Sequence, residues 1–153
     1  MRIMPKAEEL GRAAVVAAIA EDRDRFLVAL EAIVVADKET TANAIMTYLG
    51  VARVVLMDIH HGGIPNEEQN RIHSSDISAE ESKWAVLAAN DVYALLEGLS
   101  DDNTAPDIPQ EKFLPTLFLT VGYLLSWYAE SLGYKSFYDF LDVVLTRVES
   151  ESD

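Results

Sequence analysis

Residues 113–129 read FLPTLFLTVGYLLSWYA, seventeen positions without a formal charge. The run is at the short limit for crossing a bilayer, which takes about 20 apolar residues. Tyr123, Trp127 and Tyr128 crowd one end of it like an interfacial belt. Pro115, Thr116, Thr120, Gly122 and Ser126 interrupt the hydrophobicity, and an isolated anchor would leave the other amphipathic segments without a partner. A helix apolar on every side is what the centre of a bundle requires. The stretch is therefore read as the buried central helix of an all-α fold, with no membrane span.

The flanking sequence supports that reading, because its apolar periodicity is helical nearly everywhere and no stretch sustains the alternation of a half-buried strand. Downstream, Gly133 ends the central helix, and Ser136 with Asp139 marks the start of another whose face reads Phe137, Phe140, Leu141, Val144, Leu145 and Val148. The acidic tail 149–153 is expected to fray. Upstream, a first helix is expected over 6–20 behind Pro5, and a second with the stripe Phe26, Leu30, Ile33 and Val34. Asp37 is placed to cap a third, which presents Ile45, Leu49, Ala52, Leu56 and Ile59 and stops at Gly62-Gly63. Residues 62–77 are polar and read as a flexible loop, as do 100–109. Between them a fourth helix is expected to start from a Ser78/Glu81 capping box and to present Trp84, Ala88, Val92, Leu95 and Leu99.

The sum is an all-α, single-domain bundle of five to six helices over 1–153. Its finer arrangement is read as two helical hairpins plus terminal helices, because 26–59 and 84–132 loosely resemble each other. The uncharged run 13–20 ends in a small-residue pattern, but Glu8 and Glu9 stand where an export signal needs positive charge, so it is read as helix.

Charge narrows the function. The 153 residues hold 26 acids against 12 bases, a formal net charge of -14. Binding phosphate backbones or anionic lipid surfaces takes a surplus of Lys and Arg, so generic nucleic-acid binding is excluded. With no Cys, the chain has no disulfide, no thiolate metal ligand and no thiol nucleophile, which fits a cytoplasmic protein. The surplus is uneven. Residues 1–77 carry 12 acids and 8 bases, whereas 78–153 carry 14 acids and 4 bases together with both Trp, five of the six Tyr and four of the five Phe. Rings as anchors and carboxylates that steer association suit a basic partner. Trp84, Asp91, Tyr123, Trp127, Tyr128, Tyr134 and Tyr138 are the candidate interaction residues.

Catalytic signatures are missing. The chain has no phosphate loop, no dinucleotide fingerprint, no serine elbow and no His-Glu-x-x-His, and the acids at 101–107 fail the EF-hand spacing. One constellation could hold a divalent metal ion, namely Asp58, His60, His61 and His73 around the loop at 58–76. Neutral imidazoles and a carboxylate at i, i+3 are ligands that zinc, manganese or iron accepts. The plainer reading is that His60 and His61 close a helix C-terminus. The expectation is a non-catalytic, acidic helical protein-interaction module without a cofactor, which self-associates as a homo-oligomer or binds a basic protein partner. The competing expectation is a metal-dependent hydrolase at the histidine loop.

Overall fold

A computed structural model describes residues 2–81, 88–100, 108 and 110–151. They form seven α-helices: α1 (Pro5–Ile19), α2 (Arg23–Val35), α3 (Lys38–Ile59), α4 (Glu67–Glu81), α5 (Ala89–Ser100), α6 (Gln110–Ser131) and α7 (Phe137–Glu151). The fold is all-α, with no strand among the described residues. The helix count exceeds the expected five to six by α4, which occupies most of the segment read as a loop.

Local chemistry sets the ends of these helices. Asp22 accepts a hydrogen bond from the Arg25 amide at 3.1 Å, and Asp37 accepts from the Thr40 amide at 2.9 Å and its hydroxyl at 2.8 Å. These side chains satisfy first-turn donors that have no partner inside the helix. Thr40 holds the Asp37 carboxyl below its ordinary pKa, because its hydrogen bonds favour the ionised form. At α4 the cap is reciprocal: the Gln69 amide donates to Asn66 Oδ1 at 2.8 Å, and the Asn66 amide donates to Gln69 Oε1 at 2.9 Å. Ser78 therefore lies inside α4 and starts no helix, so the expected fourth helix divides between α4 and α5. Gly133, at φ 80°, ends α6 as expected, and Ser136 Oγ accepts from the Tyr138 amide at 3.2 Å. The expected frayed tail is partly helical, because α7 continues through Glu151.

Helix α6 sits at the centre, against α1, α3, α4, α5 and α7. Every residue from Thr116 to Gly122 is buried. Among the described residues the one helix long and apolar enough, by length and composition, to cross a membrane is its neighbour α3 and not α6. The α3 core differs from the expected stripe: Ala44, Tyr48, Val51, Ala52, Val55 and Leu56 are buried, whereas Ile45, Leu49 and Ile59 are only partly covered. Tyr48 is fully enclosed; its ring lies 5.4 Å from that of Phe118, and its hydroxyl donates to the Glu8 carbonyl at 3.1 Å. The expected pairing of consecutive helices also shifts, since α1 packs most extensively on α2 and α4 on α5, while α2 meets α3 only slightly.

Long-range polar contacts hold the N-terminal segment in place. The Ile3 amide donates to Glu149 Oε2 at 3.0 Å, and the Met4 amide donates to Asn43 Oδ1 at 2.9 Å. Arg12 on α1 donates to Asp142 on α7 at 2.6 Å.

Candidate functional site

The turn between α6 and α7 gathers most of the aromatic residues singled out in the sequence. Gly133 and the Ser136 cap reverse the chain, so the last turn of α6 meets the first turn of α7. The rings form a linked series: Trp127 lies 6.5 Å from Tyr128, Tyr128 5.4 Å from Phe140, and Phe140 5.2 Å from Tyr134. Phe137 and Tyr138 stack at 4.3 Å. Phe140 is buried and anchors the series, while Trp127, Tyr134 and Tyr138 are exposed and Tyr128 is half-buried. Leu132 is also exposed here, beside the exposed acids Glu130 and Asp139. Burial pushes the Tyr128 hydroxyl above its ordinary pKa, the Asp58 carboxylate pushes it further, and Arg147 opposes both. The corner thus borders the Asp58–Arg147 ion pair that joins α3 to α7.

The other candidate interaction residues lie elsewhere. Tyr123 is half-buried on α6 and packs against the core. Asp91, expected in mid-helix, sits in the first turn of α5, with Oδ2 3.9 Å from Lys112 Nζ on α6. An acid in a first turn complements the positive helix end. Trp84 and the acidic turn at 101–107 lie outside the described residues.

Of the candidate metal ligands, the fold brings two together. His60 ends α3 and His73 projects from α4, with their Nε2 atoms 2.8 Å apart and their rings edge to face at 5.1 Å. At that separation one Nε2–H donates and the other Nε2 accepts, so the pair suits two neutral imidazoles. Both rings have lowered pKa values. For His60 the cause is burial and then His61; for His73 it is burial and then His60, partly offset by Asp76. His61 is exposed in the left-handed region at φ 56°, and Asp58 is engaged by Arg147. Among the described residues, no group of three or more His, Asp or Glu is placed to hold a metal ion.

A polar cluster between α4 and α5 escaped the sequence reading. Asn70, fully buried, donates from Nδ2 to Glu97 Oε2 and Ser100 Oγ, both at 3.3 Å. Glu97 also accepts from the Tyr93 hydroxyl, a bond that pushes Tyr93 up to about 12. Arg71 lies 4.7 Å over the Tyr93 ring and donates to Glu67 at 2.9 Å. The signal available was the i, i+4 spacing of Glu67 with Arg71 and of Tyr93 with Glu97. Compared with protein-family models, curated proteins and solved structures, the chain matches none.

Proposed function

We propose that this chain is a non-catalytic, acidic helical interaction module that takes a basic protein segment at the α6–α7 corner. The observation that carries the reading is the exposure of Trp127, Leu132 and Tyr134 together, beside Glu130 and Asp139. Large side chains left in water at one place are what an interaction site presents before its partner arrives, and the acids Glu130 and Asp139 outnumber the base Lys135 beside them. The rings are already held by Tyr128 and Phe140, so a partner would meet ordered anchors and little ordering entropy would be lost on binding. The carboxylates would speed encounter with a basic segment and make binding sensitive to salt.

The test is affinity capture from source cells with the wild-type chain and with Trp127→Ala/Tyr134→Ala. A basic protein retained by the wild type should be released at about 0.5 M salt. Its affinity for the double variant should be at least tenfold weaker, since anchor truncations cost about 2 kcal/mol. Equal retention by both chains would contradict the reading. For the competing metal-dependent hydrolase the support is narrower: it is the meeting of His60 with His73, with Asp58 committed to Arg147 and His61 turned to solvent.

A further inference from the structure

Helix α2 is apolar on both sides and covered on one. From Phe26 to Val35 its only charged residue is Glu31. Phe26, Ala29, Leu30 and Ile33 face inward and are buried. Val34, expected to share that inner stripe, faces outward instead, because at about 100° per residue it lies well round the helix from both Phe26 and Ile33. Leu27, Val28, Val34 and Val35 are 51%, 68%, 62% and 74% exposed. Helices with this composition are normally enclosed on all sides. Leu27 with Val34, and Val28 with Val35, recur at seven residues, the spacing of a seam on which another helix packs.

Next to this ridge lies a groove of about 700 Å³ between α1 and α2, whose apolar lining (Ala13, Val16, Val28, Ala32 and others) is joined by Tyr138 and by three acids and two bases, Glu9, Asp22, Asp24, Arg12 and Arg25. Ridge and groove belong to one face. A face that offers both shapes is self-complementary under a two-fold axis, the geometry of an isologous dimer.

Charge selects the occupant. Residues 1–36 hold six acids and five bases, net -1, while 37–153 hold 20 acids and 7 bases, net -13. Two copies of so acidic a chain repel each other across most of their surfaces, and repulsion is weakest between two α1–α2 faces. A basic protein gains little from a face so close to neutral, and anionic lipid needs a surplus of bases that the hairpin lacks.

We infer that a second copy of this chain covers the α1–α2 face, the Leu27/Val34/Val35 ridge of each copy seated against the groove of the other. The inference deepens the interaction-module reading by giving self-association its own face, which touches the α6–α7 corner at Tyr138 but leaves out Trp127, Leu132 and Tyr134. Sedimentation of the full chain at about 100 μM in about 0.15 M salt should return twice the 16.9 kDa chain mass. Val28→Glu/Val35→Glu should weaken association by about 100-fold or more with helix content unchanged, because both side chains are exposed in the single chain. If that variant misfolds, Val34→Arg carries the same test with one change. Trp127→Ala should dimerise like the wild type, so a lost basic partner with an intact dimer sinks only the corner reading. A wild-type monomer at this concentration would overturn the dimer. So would a dimer indifferent to the Val28, Val35 and Val34 substitutions, or a monomer whose α2 face binds neutral lipid vesicles.

Discussion

Gly11 and Tyr48 form the tightest fit in the core. A Cβ on Gly11 would stand 2.1 Å from Cε2 and 2.5 Å from Cδ2 of the Tyr48 ring. The ring has little freedom to yield, being fully buried against Phe118 and tied through its hydroxyl to the Glu8 carbonyl. Burial also pushes that hydroxyl well above the usual tyrosine pKa, so it stays a donor. Gly11→Ala is expected to cost about 3 kcal/mol, the upper part of the range for overpacked cores, read from urea unfolding. Combining it with Tyr48→Leu should recover part of the loss, a coupling that a double-mutant cycle measures. A cost below about 0.5 kcal/mol would show that α1 and α3 are less closely seated than described. Neither residue stood out in the sequence, because a lone Gly in a helical pattern and a Tyr beside the expected stripe carry no mark of their contact.

The meeting of α3 with α4 depends on a hydrogen bond between two imidazoles that suits their neutral forms. Burial and then His61 lower the folded pKa of His60 below the ordinary 6.5, and burial and then His60 lower that of His73, with Asp76 offsetting only part of the latter. The unfolded chain then binds protons more readily than the folded one, so the pair's contribution is fully present above about pH 6.5 and is lost as pH falls through that window. NMR titration should place both imidazole midpoints below 6.5. The fall in melting temperature between about pH 7.5 and 5 should be smaller in His60→Gln/His73→Gln than in the wild type. An unchanged pH dependence would remove the pair from the account. Helix α4 itself was hard to read. Its buried stripe is Asn70, Ser74 and Ile77, spaced i, i+4, i+7, but two of the three are polar, so the apolar period that betrays a helix is missing. By contrast α1, α3, α6 and α7 were legible within a few residues, since their stripes are apolar and Asp37, Gly133 and Ser136 punctuate them. Helix α2 was legible in extent and, through Phe26, Leu30 and Ile33, in facing; Val34 alone was misplaced, because a helix apolar on both sides blurs the edge of its stripe.

Across the whole molecule, 26 acids surround 12 bases, and ion pairs such as Arg12–Glu8, Arg25–Asp22, Arg71–Glu67 and Arg147–Asp58 lie at least partly in solvent. Such pairs are each worth at most about 1 kcal/mol, so repulsion among the surplus carboxylates outweighs them. Raising sodium chloride from about 0.02 to 0.5 M should therefore raise the melting temperature by several degrees, as screening relieves repulsion faster than it weakens pairs. A fall over that range would mean the pairs dominate. The candidate corner was half legible. Composition marked Trp127, Tyr134 and Tyr138, all exposed, but only the fold could show that Tyr128 and Phe140 link the rings, or that Asp91 and Tyr123 stand apart.

The bond from the Ile3 amide to Glu149 spans 146 residues of chain, and that from Arg12 to Asp142 spans 130. Because synthesis runs from α1 to α7, these latches wait for the last helix to leave the ribosome, while α1 and α2 can pair at once. Closing so long a loop costs little more entropy than closing one half its length. The delay bears on time, not on final stability: sequence-distant contacts slow folding. Until α7 arrives, the first helical pair waits without the clamp that later fixes α1 to the other end of the chain.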